Sequence, residues 1–92
     1  MIRSIRHKGL RRFYEHDDRR GIDSQHVEKL RDILARLDAA VTVADMEFPG
    51  FQLHRLRGEL KGFFGVTVRA NWRVIFRFEE GDAFDIDYLD YH

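Results

Sequence analysis

The chain has 92 residues, enough for one small domain over residues 1–92 with a modest hydrophobic core. It contains no cysteine, so disulfides, cysteine-based metal sites and cysteine nucleophiles are excluded. The formal net charge is zero, and the sequence has neither an apolar run of membrane-spanning length nor a signal-like N-terminal stretch. We therefore expect a cytoplasmic protein with no membrane partner.

The zero net charge hides a segregation of charge along the chain. Residues 1–20 carry seven basic and three acidic groups, and residues 51–78 carry six and one. Residues 21–50 carry three basic and six acidic groups, while residues 79–92 carry six acidic groups and no basic one. Thirteen of the sixteen cations are arginine, whose planar fork suits phosphate and carboxylate. Two interpretations stay open: the segments pair with each other, or a basic face binds nucleic acid.

The first half of the chain predicts two helices. Residues 1–6 alternate and indicate a short strand, whereas the apolar residues of 7–17 recur at helical spacing. A second helix is predicted to begin at Asp23 or Ser24, either of which can cap it, and to end near residue 40. Its buried stripe is predicted to be Val27, Leu30, Ile33, Leu34 and Leu37.

The second half predicts a sheet. After a connector over residues 41–50 the apolar period changes to two, and four strands are predicted, over residues 51–56, 63–69, 72–78 and 83–89. The short links between these strands favour an antiparallel meander. Helices followed by strands are typical of an α+β domain, here with two N-terminal helices packed on a small antiparallel sheet.

Strand alternation assigns side chains to the two faces of this sheet. One face is predicted to pack under the helices and consists of Phe64, Val66, Val68, Trp72, Val74, Phe76 and Phe78. The opposite face is predicted to be basic and half polar, and consists of Phe63, Thr67, Arg69, Arg73, Ile75 and Arg77. Such an arginine-lined face is suited to a nucleic-acid backbone.

The residue types near this sheet suit RNA cleavage without a metal. A base removes the proton of the ribose 2′-OH, which attacks the adjacent phosphate; a cation stabilises the phosphorane, and an acid protonates the leaving 5′-oxygen. His54 and His92 are the candidate proton carriers, Asp90 is a candidate orienting group or base, and Tyr91 can stack or hydrogen-bond. The candidate phosphate-binding cations are Arg57, Arg69 and Arg73.

Each candidate also has a plainer interpretation. His54 could be a solvated strand residue, and His92 could be a loose terminus. The arginines could simply bridge to acidic residues of the last strand. The remaining aromatic and histidine residues are given structural roles: Trp72 and Tyr88 in the core, and His7, His16 and His26 at the surface, since the histidines lack metal-ligand spacing.

Several motifs occur in order over nearly the whole length of the chain. They are LHRLRG at residues 53–58, VTVRANWR at 66–73, GDA at 81–83 and the terminal DYH at 90–92. With these motifs the sequence resembles the HigB toxins of the RelE/ParE superfamily, the toxin halves of bacterial type II toxin–antitoxin pairs. The Asn-Trp-Arg turn together with the DYH terminus is the most specific part of the likeness.

The resemblance implies a RelE-like fold and an endoribonuclease that enters the ribosomal A site, contacts the small ribosomal subunit and cuts mRNA. It implies no metal and no other cofactor. It also implies a cognate HigA-like antitoxin with a helix-turn-helix domain, which neutralises the toxin. Operator DNA would then be bound only through the toxin–antitoxin complex.

Residue by residue, the resemblance places His54 on a family active-site histidine and residues 90–92 on the functional C-terminal motif. Arg69 and Arg73 match family cations near the scissile phosphate. Arg57 stands where the family often has lysine, so the charge is kept, but a proton-transferring amine is lost because arginine does not deprotonate.

The sequence departs from the family pattern at Phe64 and Gly65, where the family often reads Trp-Ser. Phenylalanine preserves the aromatic that faces the core. Glycine removes a hydroxyl and is expected to loosen the strand at this position.

Two alternatives to a nuclease stay open on the same fold. One is a non-catalytic inhibitor like the ParE branch, which poisons DNA gyrase and is not expected to need His54 or the DYH terminus. The other is a binding module that has lost activity and only acts as a corepressor with its antitoxin.

Overall fold

The computed structural model describes residues 1–91, in which two helices pack on one face of a four-stranded antiparallel sheet. The helices are α1 (Lys8–His16) and α2 (Val27–Ala39), and the strands, adjacent in chain order, are β1 (His54–Arg55), β2 (Phe64–Arg69), β3 (Trp72–Glu79) and β4 (Asp82–Asp90). Three short 3₁₀ turns lie at Ser24–His26, Val43–Met46 and Gly58–Leu60. The predicted α+β class and antiparallel meander are confirmed.

The N-terminal segment differs from the predicted strand. It touches β4 through two isolated parallel bridges, Ile2 to Ala83 and Ile5 to Ile86, instead of forming a regular strand. The last backbone hydrogen bond between this segment and β4 is donated by the amide of Arg6 to the carbonyl of Ile86, at 2.7 Å. The segment therefore covers only the first half of the outer edge of β4.

The first predicted strand, over residues 51–56, is shortened to the two residues of β1. Gln52 has a left-handed backbone with φ of 52°, which interrupts the extended conformation just before β1. The amide of Thr67 still donates to the carbonyl of Phe51 at 2.7 Å, so residue 51 stays attached to β2. This break in the extended conformation directs the chain toward the site described below.

The main core lies between the helices and the sheet. The predicted stripe of α2 is buried, and Leu30, Ile33 and Leu37 are fully inaccessible. Burying each such side chain contributes about 1.5–3 kcal/mol. The predicted helix-facing residues of the sheet join the same cluster, with Val66, Val68, Val74 and Phe76 buried and Phe64, Trp72 and Phe78 partly buried against it.

The opposite face of the sheet, called here the open face, has an apolar floor, to which alternation assigned Phe63 and Ile75 but not Leu56. Leu56, Phe63 and Ile75 form a second buried cluster, with Ile75 only 2% exposed, and Leu60 and Leu89 pack against it. The predicted placement of Phe63 and Ile75 on this face is confirmed, and they make its centre apolar. Polar groups surround this floor, because Thr67 and Arg73 pair across β2 and β3 further along the same face.

A bulge in β2 changes the face of one predicted site residue. The register shifts between Thr67 and Arg69, so Arg69 pairs with Trp72 rather than continuing the alternation. Directly opposite residues share a face, and Trp72 packs against the helix-side core. The Nη1 of Arg69 accordingly donates to Oε1 of Gln25 at 2.6 Å. The prediction that Arg69 lies on the open face with Arg73 is wrong.

Many arginines pair with acidic residues, as one of the two interpretations of the segregated charges predicted. Arg77 donates to Asp85 at 2.8 Å and approaches Glu79 at 3.3 Å, so its charge is compensated within the sheet. The other arginines in ion pairs are Arg3, Arg6, Arg12, Arg20, Arg31 and Arg36. These pairs leave a smaller set of cations for an external anion.

The Asp45 carboxylate caps the 3₁₀ turn that follows α2. We expect its removal to make the stability of the fold depend less on pH in the acid range. It accepts from the amides of Val41 at 2.9 Å and Thr42 at 3.1 Å, and these bonds, Thr42 first, hold the Asp45 pKa below its usual 3.8. A lowered pKa stabilises the fold above pH 3.8, and that contribution is lost as the pH falls through the folded-state value.

Asp45→Ala should therefore lower the thermal midpoint at pH 7, and the gap to the wild type should narrow as the pH falls below 3.8. Thermal unfolding followed by circular dichroism at several pH values measures both effects. Glu47→Ala is the matched control, because Glu47 is exposed in the same connector. A gap between Asp45→Ala and wild type that does not change with pH would contradict the capping role.

Candidate active site

His54 is held on the open face in one ring orientation. It pairs with Gly65 across β1 and β2, and its Nδ1 lies 2.9 Å from the carbonyl oxygen of Gln52. Because a carbonyl oxygen can only accept, Nδ1 must carry the hydrogen in this contact. The other ring nitrogen, Nε2, is then free to take up a proton, and the exposed side chain presents it to solvent.

The residue that orients His54 is itself anchored to the sheet. The hydroxyl of Thr67 donates to Oε1 of Gln52 at 2.9 Å, and the amide of Thr67 donates to the carbonyl of Phe51, the residue before Gln52. These bonds hold Gln52 in its left-handed conformation, which directs its carbonyl toward the imidazole. Neither Gln52 nor Thr67 was predicted as a site residue, because an irregular backbone leaves no local pattern in the sequence.

Gly65 lies beneath His54 without being required by its backbone angles. A Cβ at this position would lie 3.7 Å from Cε1 of His54, 3.4 Å from Cδ2 of Leu56 and 3.7 Å from Cγ2 of Ile75. These are ordinary van der Waals distances, so a Cβ at this position would meet no close contact. The three neighbours show that His54 and the apolar floor share the open face.

A groove of about 620 Å³ begins at His54. Its walls come from β1, the loop after it and the start of β2, and they include His54, Arg55, Arg57, Lys61, Phe63 and Phe64. Arg57 is exposed, and its side chain makes no ion pair with any residue in the range 1–91. The groove therefore combines an apolar base with cations that can bind a phosphate.

Arg73 contributes a second cation to the open face. Its guanidinium folds over the β2–β3 turn, where Nη1 donates to the carbonyl of Ala70 at 2.7 Å and to that of Trp72 at 3.2 Å. The buried Nε has no hydrogen-bond partner among the residues that the structure describes. Arg73 is thus held by backbone oxygens, and it makes no ion pair with any carboxylate of residues 1–91.

The C-terminal candidates lie at the corner where β3 begins and β4 ends. Asp90 pairs with Trp72, which places it on the same side of the sheet as Arg69. The amide of Tyr91 donates to the carbonyl of Asn71 at 2.8 Å and continues the ladder by one position. Alternation from Leu89 directs Tyr91 toward the open face, which also carries Arg73. His92, the other candidate proton carrier, lies outside the described residues.

The predicted site residues thus lie in two groups, one on the open face and its groove and the other on the helix side of the sheet. His54 and Arg73 share the open face, and Arg57 lines the groove that begins at His54. Asp90 and Arg69 belong to the helix side of the same corner. Within residues 1–91 no group of three or more potential metal ligands is close enough to hold an ion.

The comparisons with known proteins match the whole chain to one family. The model of the HigB-like RelE-like toxins of type II toxin–antitoxin systems matches residues 3–92. The chain is 39% identical to the protein named Endoribonuclease HigB from Proteus vulgaris, over all of both chains. This chain belongs to the HigB-like toxin family. It is also 35% identical to Toxin HigB-1 of Vibrio cholerae serotype O1, covering all of this chain and 98% of that one.

Two solved structures share the fold of this chain. Two structures of the YoeB–YefM toxin–antitoxin complex from Staphylococcus aureus each contain a chain that matches with a TM-score of 0.63, over all of this chain and 95% of the other. The sequence identities are 15% and 14%, so these likenesses show the RelE-like fold alone. As a HigB-like toxin of a type II system, the protein has an antitoxin as its partner.

Neither described helix has the length and hydrophobicity needed to cross a membrane.

Proposed function

We propose that this HigB-like toxin is an endoribonuclease that cuts mRNA in the ribosomal A site and so stops translation. The relative from Proteus vulgaris carries the name endoribonuclease, and the family model covers nearly the whole chain. The observation that carries the proposal is the bond from His54 Nδ1 to the Gln52 carbonyl, which leaves Nε2 available on the face that also bears Arg73. An oriented imidazole and a cation on the same face of the sheet suit phosphate chemistry.

The reaction needs no group beyond amino-acid side chains. A base removes the proton of the ribose 2′-OH, and the 2′-oxygen forms a bond to the adjacent phosphorus. The bond from phosphorus to the 5′-oxygen then breaks, and an acid protonates that oxygen. The products are a 2′,3′-cyclic phosphate and a free 5′-hydroxyl, so each proton removed by the base is matched by one supplied by the acid.

His54 is proposed as one of the two proton carriers, because its Nε2 accepts a proton when the ring is neutral and returns it when charged. His92 or Asp90 would handle the other transfer, and Tyr91 would position the base or ribose. Arg57, Arg69 and Arg73 would supply positive charge to the phosphorane. Of these, Arg73 and Arg57 have the more favourable placement, whereas Arg69 already contacts Gln25 and would act from the corner of the sheet.

The ribosome would supply the affinity that the toxin lacks. Nonspecific binding to RNA grows with the number of phosphates neutralised, and this chain has no net charge. Its ion pairs further reduce the cations free to bind phosphate, Arg77 being an example. Binding to the small ribosomal subunit, which presents the mRNA in a fixed orientation, would remove most of the ordering cost. The site of action would then be the cytoplasm.

The antitoxin of this system is proposed to be a HigA-like protein with a helix-turn-helix domain. Such a protein would neutralise the toxin and attach the pair to operator DNA, so the toxin itself would need no DNA-binding surface. A small helix-turn-helix reading frame directly beside this gene is the expected genomic arrangement. Copurification of that protein with the toxin tests the pairing.

Cleavage of a defined mRNA by the purified toxin tests the function. With ribosomes stalled on a known codon, we expect cuts confined to the A site and carrying the 5′-hydroxyl and cyclic phosphate ends. The same mRNA without ribosomes should be cut at least about 100-fold more slowly, because the ribosome orients the substrate. Primer extension from the cut ends measures both rates, and the copurified antitoxin should suppress both.

Three outcomes would contradict parts of this proposal. Equal cleavage of naked and ribosome-bound mRNA would remove the dependence on the ribosome. DNA damage without mRNA cleavage after induction would indicate an inhibitor of the gyrase-poisoning kind. Normal growth when the toxin is expressed without its antitoxin would indicate a module that only binds.

A further inference from the structure

Four rings meet below the sheet corner that carries Asp90 and Tyr91. Tyr88 lies at its centre, with ring-centroid distances of 4.8 Å to Trp72, 5.8 Å to His26 and 5.1 Å to His7. His26 also approaches Trp72 at 5.5 Å. We call these four residues the corner cluster. It connects the start of β3 and the end of β4 to the chain segments that begin α1 and α2.

His26 is the unexpected member of the corner cluster. The sequence predicted a surface residue, yet only 3% of His26 is exposed, because the 3₁₀ turn that precedes α2 directs it under the sheet. Its Nδ1 lies 2.5 Å from the hydroxyl of Tyr88, which is itself 5% exposed. A buried imidazole and a buried phenol each need a hydrogen-bond partner, and here each satisfies the other.

The phenol of Tyr88 is kept in its protonated form by its surroundings. Burial raises the Tyr88 pKa above the usual 10.0, and a backbone hydrogen bond from Asp23 only partly opposes the rise. The hydroxyl can therefore donate to Nδ1 of His26 in the tautomer whose hydrogen is on Nε2. The contact is a directed bond between the turn before α2 and the end of β4.

The end of β4 depends on this contact because it is supported on one edge alone. The backbone pairing of the N-terminal segment with β4 ends at Ile86. Beyond that point, among residues 1–91, β4 pairs only with β3, through four residue pairs that run from Ile75–Asp87 to Trp72–Asp90. A strand end with one free edge can tilt or fray unless its side chains are held from below.

We propose that the hydrogen-bonded His26–Tyr88 pair positions Asp90 and Tyr91, the described part of the C-terminal motif, for catalysis. Tyr88 lies two residues before Asp90 on the same strand and face, and Trp72, the strand partner of Asp90, packs against both rings. His26 and Tyr88 act through these neighbours and do not touch the substrate. The inference rests on the proposed ribonuclease function, which it deepens by naming two positioning residues.

Tyr88→Phe tests the pair because it keeps the ring and removes only the hydroxyl. With ribosome-bound mRNA we expect kcat to fall by about 10- to 100-fold while KM stays within about twofold, since a small displacement of reacting groups affects the chemical step. Independently of activity, the amide of Tyr91, which donates to Asn71 at 2.8 Å, should exchange its hydrogen at least about tenfold faster.

Two further comparisons separate positioning from a general loss of stability. Tyr14→Phe is the matched control, because it removes a hydroxyl that bonds Asp38 at 3.0 Å on the exposed side of α1, away from the sheet corner. It should leave kcat and the exchange of the Tyr91 amide unchanged. His26→Asn, whose amide can reach the position of Nδ1, should retain more activity than His26→Leu, which cannot bond the phenol.

Unchanged kcat together with unchanged Tyr91 exchange in the folded Tyr88→Phe variant would overturn the positioning role. Equal activities of His26→Asn and His26→Leu would do the same. A failure of the proposed function itself gives a different result. If the wild-type toxin does not cut ribosome-bound mRNA, the proposed function is wrong. The exchange rate of the Tyr91 amide then decides alone whether the pair orders the end of β4.

Discussion

His54→Ala is expected to slow mRNA cleavage by about 10²- to 10⁴-fold, the usual contribution of a positioned acid or base. The physical reason is the fixed imidazole, whose Nδ1 is bound by the Gln52 carbonyl and whose Nε2 is the group that exchanges a proton. The side chain is exposed, so its removal leaves no cavity and the fold should remain intact. Single-turnover cleavage of ribosome-bound mRNA measures the loss, and circular dichroism verifies folding.

The matched control for this prediction is His16→Ala. His16 ends α1, its side chain is 72% exposed, and it lies outside the open face and its groove. This variant should cleave at the wild-type rate. A His54→Ala protein that retains full cleavage would remove His54 from the mechanism, and the DYH terminus would then have to supply both proton transfers.

Gly9→Ala is expected to destabilise the fold by about 3 kcal/mol, although alanine is the better helix former. Gly9 lies in α1 against Gly21, with backbone touching backbone. An added Cβ would collide with the carbonyl oxygen of Gly21 and lie 2.7 Å from its carbon and 2.8 Å from its Cα. Because no flexible side chain can move aside, the helix or the loop before α2 must shift.

Chemical denaturation of Gly9→Ala measures this loss, with Lys8→Ala as its control in the same helix. Lys8 is exposed, so its replacement should change the free energy of unfolding by less than about 0.5 kcal/mol. A displaced α1 would also move His7, whose Nδ1 caps the helix and whose ring packs on Tyr88. Stability of Gly9→Ala equal to that of Lys8→Ala would show that the close approach is not tight in solution.

Periodicity predicted the regular parts of the fold because burial on one side leaves a repeating mark in the sequence. The stripe of α2 and the two-residue alternation of β2 and β3 are such marks, and both were predicted correctly. Irregular backbone leaves no comparable mark. The bulge that moves Arg69 to the helix side and the left-handed Gln52 that orients His54 are decided by contacts between distant segments.

The sequence by itself determined the α+β class, the order of the elements and the likeness to HigB toxins, with His54, Arg73 and the C-terminal motif as candidates. These rest on local period and on motifs, which a linear chain displays directly. Only the tertiary structure decided that His26 is buried against Tyr88, that Gly9 meets Gly21, and that Leu56 joins Phe63 and Ile75 in the floor of the open face. Each is a contact between segments far apart in the chain, and its physical basis is close packing, which exists only once the segments have been brought together.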